Sequence, residues 1–404
     1  MRAVRAAVAF DGERFLTGGA TVLVDGDQVV GVEPAGFTVP EGVAVQEYSG
    51  TLLPGLVDAH VHLVADGSPG SLEAAGSASD EELDVAIRAN LRRQVVAGVT
   101  TVRDLGDAAY RVLHHRDAAE AGLPGIVASG PPLTTADGHC HYLGGGVHDV
   151  GIPAAVAEHA ERGVDVIKVM ASGGMLTPGS DPLGAQFTVL ALREIVEAAH
   201  SHGLRVLAHS HALIGIERAV AAGVDGLEHF TSLTETGPVA SEPLLGQIAA
   251  RGITIDTTLG FDPDRMPSID KAPPAIRALA ERTGVTLASA GKFRAELMAR
   301  AHAHGIRIVS GLDAGASPAK PHGDLWRAVV DLVDGGLPVE AALATATSVA
   351  ADDCGVPAGR LEAGRRADLL VVDGDLRTDA EALSRPLAVV ARGVVVPGVT
   401  ATNG

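Results

Sequence analysis

Gly55-Leu56-Val57-Asp58-Ala59-His60-Val61-His62-Leu63 is the stretch from which the rest of the chain is best read. It follows Leu52-Leu53-Pro54 and has the character of a strand entering a buried core. Side chains alternate faces along a strand, so His60 and His62 point the same way, with Asp58 one pleat earlier on that face. Two neighbouring imidazoles on a buried strand need partners. A divalent cation is the usual one, because neutral imidazole is its commonest nitrogen ligand. Two core histidines bonded within the fold would fit the same residues, so the rest of the chain must separate the readings. Asp58 is placed to orient a histidine from behind.

Working outward, the pattern after Leu53 is one of strands alternating with helices. Beyond the His60 strand come Val99–Asp104, Gly125–Gly130, Val164–Met170, Leu204–His209, Val224–His229, Gly252–Thr257 and Gly305–Asp313. Helical spacing fills the intervals, as in Leu190–His202, which stops at Gly203, and Ile214–Ala222, which stops at Gly223. Regular alternation points to parallel strands covered by helices, and eight units over roughly 300 residues is the size of a closed (β/α)8 TIM barrel. An open doubly wound sheet is the alternative, but no G-x-G-x-x-G turn follows the first strand. Both ends of the chain carry short strands instead. Ala20–Val24 and Gln28–Val32 flank Asp25-Gly26-Asp27 as a hairpin. Ala367–Asp373, Leu387–Ala391 and Val394–Val396 follow the barrel. The expected architecture is α/β: a (β/α)8 barrel over residues 54–359, and a small β-sandwich domain from residues 1–53 and 360–404.

Composition narrows the partners. The 404 residues carry a net charge of −19, which disfavours nucleic acid or an anionic membrane surface. Apolar residues make up 46% and aromatics 3%, so the core is aliphatic. Two cysteines, Cys140 and Cys354, exclude a disulfide framework and fit a reducing, cytoplasmic setting. No apolar run reaches membrane-spanning length, and no signal-peptide pattern opens the chain. A small-molecule substrate is therefore expected, and a homo-oligomer, since exposed helices of this fold often pair.

Barrel chemistry sits at the carboxyl ends of the strands. Those positions hold His60 and His62, Lys168, His209, His229 and Asp313. Each alone has a structural explanation, but four imidazoles, a lysine and a carboxylate on one rim would be costly without a cation. A lysine ammonium among metal ligands would be repelled. Reaction with carbon dioxide turns Lys168 into a carbamate, an anion able to bridge two ions roughly 3.5–4 Å apart. His60, His62 and Asp313 are expected on one metal, His209 and His229 on the other, with Lys168 across both and a hydroxide bridging the pair. Zinc suits these nitrogen and oxygen donors, and manganese or cobalt would also be accepted.

On these residues the chain resembles the amidohydrolase superfamily, in its imidazolonepropionase-like and Xaa-Pro-dipeptidase-like group with two metals and a carboxylated lysine. The resemblance rests on Pro54–His62, Ile167–Gly174, Leu207–His211, Gly226–His229, Ser310–Gly315, Ala344–Ser348 and Gly364–Val371. It implies hydrolysis of a carbon–nitrogen bond in a small amide such as a dipeptide or an N-acyl amino acid. Asp313 would take the proton of the attacking water and pass it to the leaving group. In the loop Asp137–Gly146, His139 or His141 would polarise the carbonyl and Tyr142 would line the pocket, with His211 and His322 as further substrate contacts. A lactone, ester or phosphotriester hydrolase would use the same centre. A mononuclear deaminase is the other alternative, although it usually places a glutamate where His209-Ser210-His211 stands.

Overall fold

The computed structural model describes residues 1–147, 151–266, 268–284 and 286–399; the last five positions of the expected 360–404 segment lie outside it. The N-terminal part gives β1 (Arg2–Phe10), β2 (Ala20–Asp25), β3 (Gln28–Pro34) and β4 (Ala44–Pro54). Then come eight short parallel strands: β5 (Leu56–Val61), β6 (Val99–Asp104), β7 (Gly125–Ala128), β8 (Ile167–Met170), β9 (Val206–His209), β10 (Gly226–Glu228), β11 (Thr254–Asp256) and β12 (Ile308–Val309). The chain closes with β13 (Leu369–Val372), β14 (Pro386–Ala391) and β15 (Val394–Val395).

Strands from the two ends of the chain share one sheet, in the order β15-β14-β13-β4-β1-β2-β3, with Phe15–Leu16 paired to β1. The expected hairpin is present. Asp25 pairs with Gln28, so Gly26 and Asp27 form a two-residue turn, and Gly26 takes the left-handed φ of 57° that such a turn needs. Val4, Val22, Leu52 and Val371 pack as the apolar cluster of this sheet. β4 runs into β5 with only Gly55 between them. A Cβ there would lie 2.2 Å from Thr100 Oγ1, so only glycine lets the two strands pass this closely.

The eight parallel strands form ladders of five (β12-β11-β10-β9-β8) and three (β5-β6-β7). Contacts carry across both gaps. Leu133 donates to the Lys168 carbonyl at 2.8 Å and accepts from Met170 N–H at 2.9 Å. On the other side Ala59 donates to Ser310 O at 3.1 Å, and Val61 bridges Ala314. The last strand is far shorter than the nine residues read from sequence, because the chain bends after Val309 to bring Asp313 round to a φ of 63°. Helices cover the outside. The helix Asp80–Val96 begins four residues earlier than its apolar period shows. Ser79 and Glu82 form a reciprocal capping box there, worth about 1 kcal/mol. Its buried stripe Leu83, Ile87, Leu91 and Val95 packs on β6 and β14. Among the described residues, no helix is long and apolar enough to cross a membrane.

Candidate active site

His60 lies on β5 and His62 just beyond it, both buried. His60 Nδ1 is 2.6 Å from a carboxylate oxygen of Glu228, and His62 Nδ1 is 3.0 Å from the Gly106 carbonyl. Both partners are acceptors. Each ring therefore carries its proton on Nδ1 and turns a lone pair outward on Nε2. Those two Nε2 atoms lie 3.5 and 3.2 Å from the same oxygen of Asp313. Three acceptor atoms facing one another are relieved only by a proton or a cation, so the donor set fits a divalent metal.

A second group stands beside it. His209, His211 and His229 have ring centroids 4.5 to 4.7 Å apart, with His211 stacked on His229. His211 Nδ1 meets the Thr231 hydroxyl at 2.8 Å and His229 Nδ1 the Thr258 hydroxyl at 2.9 Å. His209 faces the Gly173 carbonyl with Nε2 at 3.3 Å, leaving Nδ1 as its open nitrogen. Burial pulls all three rings to the neutral form, His211 to about 3 and the others well below the ordinary value. Three neutral imidazoles, each with a ring nitrogen within 4.8 Å of the others, are again a candidate metal donor set. His211, expected from sequence as a substrate contact, thus joins His209 and His229.

Two left-handed residues shape the rim. His229 turns at a φ of 70° immediately after β10, which is how Glu228 and His229, adjacent in sequence, both reach the donors. Asp313 makes the equivalent turn, with its N–H donating to the His60 carbonyl at 2.8 Å. Lys168, on β8, is buried with Nζ 3.4 Å from His60 Nε2. Among the described residues no carboxylate lies in ion-pair contact with it, and burial lowers its pKa toward the neutral amine. Its charge acts on His60, His209 and His229, so it stands between the two groups.

The glycine-rich loop divides. His139 is buried, its ring 4.7 Å from that of His209 and its Nδ1 2.8 Å from the Thr177 hydroxyl. Gly174 makes room for it, since a Cβ there would lie 2.2 Å from His139 Nε2. His141 is exposed, with Nδ1 on the Gly138 carbonyl, and Tyr142 is half-buried beside it. Burial pushes the Cys140 thiol up to about 12, so it is inert as a nucleophile. His322 has both nitrogens engaged inside the fold, on Ala65 O at 2.9 Å and Gln94 Nε2 at 3.2 Å. It is a loop anchor rather than the open pocket contact expected from sequence.

Asp58 also departs from expectation. Its carboxylate accepts from Leu312 N–H at 2.9 Å and His60 N–H at 3.3 Å and touches no imidazole. Glu228 orients His60 instead. Behind Glu228 lies a buried ion chain that sequence reasoning missed. Arg103 Nη2 is 3.8 Å from Glu228 and 3.9 Å from Asp256, while Nη1 is 2.7 Å from Asp353. Asp353 continues at 2.8 Å to Arg205. The available signal was a charged residue inside an apolar strand, as in Thr100-Thr101-Val102-Arg103. A separate cavity of about 1030 Å³, bounded by Phe261, Met266, Ile269 and Lys292, holds none of the donors.

Two clusters of metal donors at the strand ends of a mixed α/β fold are the arrangement of a metal-assisted hydrolase. Residues 51–399 match the amidohydrolase family, and the chain belongs to it; it is a hydrolase acting on carbon–nitrogen bonds. It is 28% identical over 345 residues to an uncharacterised protein of Mycobacterium tuberculosis, covering 85% of each chain. It is 29% identical over 211 residues to the ochratoxinase of Aspergillus niger, covering 46% of this chain and 44% of that one. A crystal structure of a Xaa-Pro dipeptidase with bound methionine superposes with a TM-score of 0.81 at 24% identity, over 98% of this chain and 99% of the other. The superposition establishes the fold.

Proposed function

We propose that this chain is a binuclear metal-dependent amidohydrolase cleaving the amide bond of a small substrate, an N-acyl amino acid or a dipeptide. The reading includes a closed (β/α)8 barrel over residues 54–359, which the edge-to-edge bridges at Leu133 and Val61 support. It also includes a small β-sandwich domain from residues 1–53 and 360–404. The observation that carries the function is the pair of donor groups, His60–His62–Asp313 and His209–His211–His229, on either side of Lys168. The similarity to an ochratoxinase and to a Xaa-Pro dipeptidase supports amide chemistry.

Lys168 joins the ligand set as a carbamate. Its Nζ lone pair bonds the carbon of carbon dioxide, one carbonyl π pair moves to oxygen, and one proton leaves. An anion then stands where the neutral amine stood between the donor groups. Zinc, manganese or cobalt suits the nitrogen and oxygen donors. When bound, the two ions supply a Lewis acid for the substrate carbonyl and a water of lowered pKa. Asp313 would accept a proton from the attacking water and return it to the leaving nitrogen, without which an amine departs poorly. His139 polarises the carbonyl. Thr177 Oγ1, which accepts from Cys140 N–H at 3.0 Å, holds the His139 ring through Nδ1 at 2.8 Å and leaves Nε2 as its free edge.

The test is metal and carbamate content together with turnover. Protein loaded with zinc and carbon-13 bicarbonate should hold two ions per chain and show a carbamate resonance. One ion per chain without that resonance would return the reading to a mononuclear deaminase. Loaded protein that ignores amides but opens lactones or aryl esters would move it to ester chemistry.

A further inference from the structure

Among the described residues, two of the buried cations, Arg294 and Lys320, make no ion pair with a carboxylate. Lys320 donates to the carbonyls of Thr258 at 2.8 Å and Leu312 at 2.7 Å, and lies 4.0 Å over the Phe261 ring. Arg294, on the helix Leu287–Ala303, directs one terminal nitrogen at the Thr258 hydroxyl at 2.9 Å and at the carbonyls of His229 and Thr257. Its Nε is buried and makes no hydrogen bond. Both side chains grip Thr258, so they are neighbours. Among the described residues neither has a carboxylate within 4 Å, whereas Arg103, equally buried, has three.

Carbonyl dipoles satisfy N–H groups but leave the formal charge in place, and two such charges side by side are costly to bury. The acids in the neighbourhood, Asp313 and Asp331, act on the two cations through space, without direct contact. Asp313 faces the imidazoles of His60 and His62, and Asp331 accepts from Gly260 N–H at 2.9 Å. The positive region adjoins the donors, because Thr258 is also the partner of His229 and Leu312 directly precedes Asp313.

We propose that Arg294 and Lys320 form an anion subsite that receives a free carboxylate of the substrate, beside the His211–His229 edge of the donor groups. The assignment rests on the hydrolase reading above and narrows it: an N-acyl amino acid or dipeptide enters with its carboxylate on these cations and its amide toward Asp313. Guanidinium and ammonium together match a carboxylate's two oxygens, and a neutral amide in its place would leave both charges unpaired.

The experiment compares a set of N-acetyl-L-amino acids with their primary amides, by turnover and by calorimetric binding, on the zinc-loaded full chain. The acids should exceed their amides on the order of a hundredfold in both readouts. Arg294→Gln and Lys320→Met should each narrow that ratio, and Arg294→Lys should restore part of it. Acids that bind better than amides but are not cleaved would uphold the subsite and defeat the hydrolase reading. Amides cleaved as fast as acids would defeat the subsite and leave the hydrolase standing. No preference for any acid in either readout, whether through equal binding or none, would overturn the proposal. Because the wild-type comparison needs no variant, a misfolded substitution does not blunt it.

Discussion

The two halves of the candidate site hold their imidazoles by different means. His60 is fixed by a carboxylate, Glu228, which is backed by Arg103, Asp353 and Arg205 down to the half-exposed far end of the strands. His211 and His229 are fixed by the hydroxyls of Thr231 and Thr258, and the charges behind Thr258 are cations, Arg294 on its hydroxyl and Lys320 on its carbonyl. A carboxylate partner raises the basicity of the ligand it orients and strengthens its grip on a cation; a hydroxyl orients without adding charge. The first half should therefore bind its ion more tightly and depend more on the rest of the molecule. The second half, beside an uncompensated positive region, is the one suited to meeting an anionic substrate.

The comparison can be broken at several points. The largest effect is expected at Asp313, the acid of the first half. Asp313→Asn should lower kcat by about 10²–10⁴ with a much smaller change in KM, as loss of a proton-transfer group does. Steady-state kinetics with metal content measured alongside would show it, and retained turnover would remove Asp313 from proton transfer. Arg103→Met removes the cation shared by Glu228, Asp256 and Asp353 and should cost about 3–5 kcal/mol in denaturant unfolding, as loss of one member of a buried ion network does. Were it tolerated, the charged chain behind His60 would be dispensable and the asymmetry lost.

Acid should expose the same chain. Burial pushes Asp353 up, but Arg103 and Arg205 outweigh it and hold its carboxyl at about 2, against about 3.9 in an unfolded chain. The folded value is the lower one. The stabilisation is therefore complete above about pH 5 and is lost as pH falls toward 2, amounting to about 2–3 kcal/mol. Asp353→Asn should flatten that part of the stability profile. Glu228→Gln should weaken zinc binding by about 10- to 100-fold in chelator competition. Thr231→Val should weaken it only about 2- to 10-fold, the worth of a neutral hydrogen bond. Equal losses at Glu228 and Thr231 would erase the distinction between the halves.

The donors were legible because they obey strand periodicity and stand at strand ends. His60, His62, Lys168, His209, His229 and Asp313 could all be picked out by position, and the structure brings them together. What positions them was not legible. Arg103 and Asp353 touch because helix Ser348–Cys354 packs against β5 and β12, a contact that local pattern does not encode. Asp58 was misassigned because pleat alternation gives the face of a side chain and not its bonding partner, which proved to be the Leu312 amide. The true end of β10 was hidden for a similar reason. Nothing in the residue His229 announces a left-handed φ, so the strand pattern held no sign that Glu228 and His229 both reach the site. His322 failed because its partners, Ala65 and Gln94, come from much earlier in the chain.

β4 has consequences for how the protein is made. Its flank against β13 is filled through the Leu53–Leu370 pairing, by residues synthesised long after it, while its tip leads through Gly55 straight into the strand that carries His60. During translation the first two donors thus emerge on a strand whose neighbour does not yet exist. A nascent chain stalled before Leu369 would keep an open sheet edge next to its most metal-avid residues, inviting both aggregation and premature ion capture.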